Sequence, residues 1–213
     1  MMRTLRRGVA VLTIAEAGLL LVLGVAPLLL LETGDSPIGW VRDSAWPALS
    51  VMALVLTGLM PFILLGLYAC EIEETGALGL IGLAIALIGL LPIIGFQFDM
   101  AFVWPVMAVS APELVDFDGP MFRDPRFAFV HLWMGPVYNI GTLVFGIAII
   151  RARVFPRLAS VFFTFGMILS AGILFPPFVI RMVGAVLSAP ALGWMGLVMW
   201  NKTSQISTAT QYV

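Results

Sequence analysis

The chain has 213 residues, 61% of them hydrophobic and 11% charged, with a formal net charge of -1. A soluble domain carries about 25% charged residues, so lipid must solvate much of this apolar surface. The charge balance gives no basic field for nucleic acid, and the single cysteine, Cys70, excludes an internal disulfide and any paired-cysteine metal or redox motif.

A first membrane span is expected over residues 8–31, behind Arg3, Arg6 and Arg7, which belong on the cytoplasmic side. Its length, the interior Glu16 and the lack of a small-residue cleavage site set it apart from a signal peptide. A polar loop with Pro37 and Gly39 follows, and Trp40 and Trp46 suit a membrane–water interface. The second span, 47–70, carries an interior proline, Pro61, that should kink it. The acidic turn EIEETG leads into a third span, 77–98, with Pro92 inside it. Apolar character continues to Val109, and a straight helix from Ala77 to there would be about 50 Å long. It must project beyond the bilayer or break near Asp99 or Pro105.

The outer loop, 110–126, holds Glu113, Asp116, Asp118, Asp124 and three prolines. The fourth span is expected over 127–150 and ends on RARVFPR, a basic turn that marks the inside. The fifth covers 158–174 and stops at Pro176 and Pro177, and the sixth covers 182–200, with Lys202 closing it. The reading is all-α: one polytopic transmembrane helical bundle of six helices, residues 1–213, with both termini cytoplasmic. Seven of the eleven basic residues fall at the inside ends, and Arg42, Arg123, Arg126 and Arg181 fall outside. The expected location is the bacterial cytoplasmic (inner) membrane.

Small residues mark a packing seam. Gly79, Gly82, Ala86 and Gly89 recur at steps of three and four, which lines them on one helix face. His131, Gly135, Asn139, Thr142 and Gly146 form a similar face on the fourth span. Small faces let membrane helices approach closely, so the third and fourth spans should pack through these two. A weak internal echo sets Leu65–Gly82 against Phe145–Phe162, with Gly66 on Gly146. Two apolar hairpins with similar short turns explain it as simply as duplication does.

Few residues offer chemistry. Glu16 lies about 12 Å along the first span, where an ionisable group must face the bundle interior, a cavity or a partner. Ser160, Thr164, Tyr68 and Arg157 are candidate neighbours. A proton relay is the functional reading of Glu16, and a hydrogen-bonded packing residue the plainer one. His131, the sole histidine, should lie near Gln97 and Asp99, the outer end of the third span. Its functional readings are a proton site or an axial ligand to a haem or chlorophyll-type pigment; an interfacial histidine bonded to backbone is the plainer reading, and no cofactor is expected on it. Intramembrane polar positions are thus Glu16, Gln97, Asp99 and Asn139. Arg181 should snorkel to the outer interface or pair with Asp99 or the acidic loop. No catalytic motif is present, and the acidic loop fits no calcium-loop pattern.

The run of GLYACE, TGALGLIGLAIALIG, APEL and FGIAIIRARVFPRLAS resembles a loose group of small multi-pass bacterial membrane proteins, of the DUF4386-like kind, a domain of unknown function. The resemblance covers roughly residues 64–160 and implies a six-helix fold without implying an activity. The acidic EIEET turn departs from the more basic turn of that group. The leading functional expectation is a non-enzymatic accessory or scaffolding subunit, with membrane lipids and other integral membrane subunits as partners and no nucleic acid. Against it stand a small proton-coupled transporter using Glu16 and a pigment-binding protein using His131.

Overall fold

The computed structural model of the protein describes residues 2–30, 37–70, 72–170 and 178–209, and the regular structure among these is helical throughout. Six long helices carry the fold: α1 (Met2–Leu30), α3 (Trp46–Cys70), α4 (Ile72–Phe98), α7 (Pro125–Ala152), α8 (Arg157–Ser170) and α9 (Phe178–Ala209). Three short ones, α2 (Pro37–Arg42), α5 (Trp104–Ser110) and α6 (Pro120–Arg123), gather at one end. Five helical stretches are long and apolar enough to cross a membrane: 6–27, 46–70, 72–110, 125–152 and 180–202. Their length and composition fit transmembrane helices. The sixth expected span is represented by the 14 residues of α8, about 21 Å of helix; residues 171–174 of that expectation lie outside the described residues.

The long helices form a closed ring. Each packs on the next in the order α1, α3, α4, α7, α8, α9, and α9 closes back onto α1. The most extensive pair is α4 with α7. Outward faces carry Val55, Phe62, Ile81, Ile88, Leu91, Phe165 and Leu197, all exposed, as helices meeting lipid require. Inward faces bury Ile63, Leu64, Leu67, Phe145, Ile149, Phe163, Leu192 and Met195.

Of the two expected courses after residue 98, continuation or a break, helical structure takes the first. The helix does not break at Asp99 or Pro105. It widens into a π-helical stretch, Asp99–Val103, and continues as α5. In that register the Trp104 N–H reaches the Asp99 carbonyl, and the Met100 carbonyl would look to residue 105, a proline with no N–H. The Trp46 indole Nε1 supplies the missing donor to Met100 at 3.1 Å. The Arg42 guanidinium likewise donates to the Ala108 carbonyl in the last turn of α5 at 3.0 Å, satisfying a carbonyl that the helix end leaves open.

The acidic loop is also more ordered than its composition suggests. Trp104 meets Phe96, Phe117 and Phe122 edge-on, and Phe122 continues to Phe127. Val41, Trp46, Ala108 and Val115 complete this second apolar core, which caps one end of the ring. The four carboxylates stay exposed on its surface. Asp124 is the N-cap of α7, its side chain accepting from the N–H groups of Arg126 and Phe127, with Pro125 at the first helical position. The opposite end is basic. There the Arg7 guanidinium lies over the Trp200 ring at 5.6 Å, and Lys202 donates to the Val154 carbonyl at 3.2 Å.

Candidate functional site

A ring of six helices leaves an axis to fill, and the side chains do not fill it completely. A cavity of about 140 Å³ opens in the half nearer the aromatic cap, large enough for several waters. All six long helices line it, through Leu20 and Leu23 of α1, Thr57 and Met60 of α3, Gln97 of α4, Tyr138 of α7, Ser170 of α8 and Arg181 of α9. Most of the wall is aliphatic or methionine, with the polar groups few and separated. Two helix-interior prolines add to them. Pro27 and Pro61 offer no N–H to the carbonyls of Leu23 and Thr57, four residues earlier.

Glu16 lies in the ring's interior below this cavity. It is the middle residue of α1 and 0% exposed, and neither carboxyl oxygen has a hydrogen-bond partner among the described residues. Helices α1 and α7 are not neighbours in the ring. Nevertheless Glu16 is within electrostatic range of Tyr138 on α7, so the two face each other across the interior. The Tyr138 hydroxyl approaches Thr142 one turn along, yet Thr142 Oγ1 closes no hydrogen bond of good geometry, and neither does Asn139 Oδ1. Tyr138 therefore belongs both to the cavity wall and to a group of under-satisfied polar atoms beneath it. Native interiors leave few such atoms unpaired, and charge or proton exchange is a recurrent reason for finding them inside membranes.

Two of the four expected partners of Glu16 are occupied elsewhere. Ser160 donates to the Pro156 carbonyl at 3.3 Å and Thr164 to the Ser160 carbonyl at 2.7 Å, both within their own helix turn. Tyr138 is not marked by the helical spacing of small and polar residues. It sits one position before Asn139, just off the expected polar stripe, and its role depends on α1 lying opposite α7, which no local pattern encodes.

No family model matches the chain, and no curated protein or solved structure does.

The remaining candidates scatter. Gln97 is buried and lines the cavity, whereas Asp99 opens the π-helical stretch half-buried. The backbone of His131 is helical within α7, but its side chain lies outside the described residues, as does the contact expected of it with Gln97 or Asp99. On the seam, a Cβ added to Gly82 would collide with the Phe145 backbone, one on Gly89 with Tyr138, and one on Gly141 with Ala86. The α7 face against α4 is thus Tyr138, Gly141 and Phe145, one residue off the expected stripe. Gly79 instead faces Thr75 and Tyr68, Gly146 faces Thr164 of α8, and Gly135 is buried with no atom of the described residues close to where a Cβ would go. The paired glycines of the internal echo meet different neighbours, Gly66 packing on Val9 of α1. Among the described residues no group of three His, Cys, Asp or Glu side chains is placed to hold a metal ion.

Proposed function

We propose that this protein is a small proton-coupled carrier of the bacterial cytoplasmic membrane, with Glu16 as its proton site and the central cavity as its solute site. One observation carries the reading: a fully buried carboxyl at the midpoint of a spanning helix, both oxygens unpartnered among the described residues, facing Tyr138 at the floor of a cavity that all six long helices line. Burial without a partner is tolerable for a carboxyl that holds its proton and costly for a carboxylate. A site that must exchange its proton during each cycle has reason to keep its oxygens free of fixed bonds. Prolines inside α1, α3, α4, α7 and α9 weaken the helical ladders on which alternating exposure would act.

The carrier reading includes six crossings. Lys202 reaches the turn between α7 and α8, at the basic end, whereas Arg181, early in α9, lines the same cavity as Gln97, late in α4, at the capped end. Helix α8 begins at Arg157, beside that basic turn, and reaches the cavity wall at Ser170, which supports a sixth crossing. The basic end is assigned to the cytoplasm by its arginines. A scaffolding role would call for a surface that selects protein over lipid. Past the acidic first turn of α4, the exposed faces of α3 and α4 are apolar and serve lipid equally well.

Dicyclohexylcarbodiimide reacts with carboxyls that carry a proton in apolar surroundings. In purified membranes it should modify Glu16 under mildly acidic conditions, with modification declining as the medium is made alkaline, and Glu16→Gln should remove it. Reconstituted vesicles on a sensor surface should show solute-driven proton currents that the same substitution abolishes. Modification indifferent to pH, or currents retained in Glu16→Gln, would sink the proposal.

A further inference from the structure

We infer that the cavity binds a small monocarboxylate with an aliphatic tail, its headgroup at Arg181 and Gln97 and its tail directed toward Met60 and Tyr138. The inference rests on the cavity of the carrier reading, though it requires no proton movement at Glu16.

Among the described residues that line the cavity, Arg181 is the only charged one. It is half-buried, and no ion pair or hydrogen bond to it is found among the described residues. A guanidinium presents several N–H donors in one plane, a geometry that matches the two oxygens of a carboxylate. Arg181 is also the fourth residue of α9, so the positive pole of a 32-residue helix lies at the same end. Gln97, buried late in α4, lines the same cavity and adds an amide donor. The upper cavity therefore favours negative charge from three sources.

The lower cavity favours something else. Leu20, Leu56, Met60, Leu90, Ile93 and Met167 make it aliphatic, and methionine side chains adapt to the shape of an alkyl chain. A free inorganic anion would gain nothing from these walls, and a neutral hydrocarbon would leave Arg181 desolvated and unpaired. A ligand with one anionic end and a short apolar body satisfies both halves, which is the usual division of labour in a pocket of few polar groups. The volume excludes a two-chain phospholipid inside the cavity.

The test is binding of hexanoate to the full chain in lipid nanodiscs, with empty nanodiscs subtracted and hexanol and hexylamine as matched competitors. Hexanoate should bind, hexanol at least tenfold more weakly, and hexylamine not measurably. Arg181→Gln should weaken hexanoate at least tenfold while leaving hexanol unchanged, and Arg181→Lys should recover part of the loss. Because Arg181→Gln could disturb the fold, Met60→Trp supplies an independent arm: it fills the lower cavity and should exclude hexanoate with Arg181 intact. Equal competition by all three ligands, or hexanoate binding unaffected by both substitutions, would overturn the inference. Glu16→Gln should still bind hexanoate, and Arg181→Gln should still be modified at Glu16 by carbodiimide, so failure of the ligand assignment and failure of the proton site are read separately.

Discussion

Single residues set conditions that the helices must accept. Gly76 is the clearest instance. Its backbone, φ 55° and ψ -147°, lies in a region that essentially only glycine occupies. It separates the first turn of α4, acidic at Glu73 and Glu74, from the spanning stretch, and so turns the chain between α3 and α4. Open space surrounds the position where a Cβ would go, so a substitution would act through the backbone alone. Gly76→Ala should cost about 1–3 kcal/mol, seen as a lowered unfolding midpoint in mixed micelles. Gly58→Ala, in helical backbone with equal space, should stay within about 0.5 kcal/mol of the parent. Equal losses at both positions would show that added bulk, rather than φ, is what the turn refuses. Glu16 is the other such residue: its type and depth were legible in the sequence, because a carboxyl in an apolar run announces itself. Its neighbour Tyr138 was not, since the pairing crosses the ring.

At the scale of elements, periodicity reported which helices exist and which are small-faced, but gave the facing residues only to within one position. Gly82, Ala86 and Gly89 on α4 fell where the three-and-four spacing put them. The answering face on α7 turned out to centre on Gly141, because helix rotation is settled by what both sides of α7 must bury: Tyr138 and Phe145 toward α4, and Gly146 toward Thr164 of α8. The widened turn at Asp99–Val103 was likewise illegible as such. Pro105 signals a disturbed ladder, yet only the Trp46 donor, 54 positions earlier, lets the helix continue through it. The seam makes a sharp expectation. Gly141→Leu forces side-chain bulk against the Ala86 backbone and should destabilise by about 1–3 kcal/mol, whereas Gly135→Ala, one and a half turns away on the same helix, should be close to neutral. Thermal aggregation of the two variants in the same detergent distinguishes them. A stable Gly141→Leu protein would mean that α4 and α7 can part without loss.

The whole molecule adds a constraint that neither scale supplies. Ring closure by α9 against α1 brings the first and last long helices together, with Gly196 packed on Ile14 and Ala10 and with Gly24 against Ala185. Closure is what converts six helix faces into one enclosed axis, and it forces Glu16 inward. Closure also ties topology to function, because the cavity holds Arg181 and Gln97 at one end only. If α8 and the chain after it cross the membrane, the capped end, with Ser44 and Asp118 exposed, faces away from the cytoplasm, and the basic end, with Arg153 and Asn201 exposed, faces it. Replacement of Cys70 by serine clears the background for single-cysteine probes, since the chain has no other thiol. In intact cells a membrane-impermeant maleimide should then label Ser44→Cys and Asp118→Cys. It should reach Arg153→Cys and Asn201→Cys only after the cells are permeabilised. Labelling of Arg153→Cys and Asn201→Cys alone would invert the orientation and put the Arg181 end of the cavity on the cytoplasmic side. Labelling of Asn201→Cys together with Ser44→Cys would require an odd number of crossings, and with it a different arrangement of α8 from the one that closes the ring.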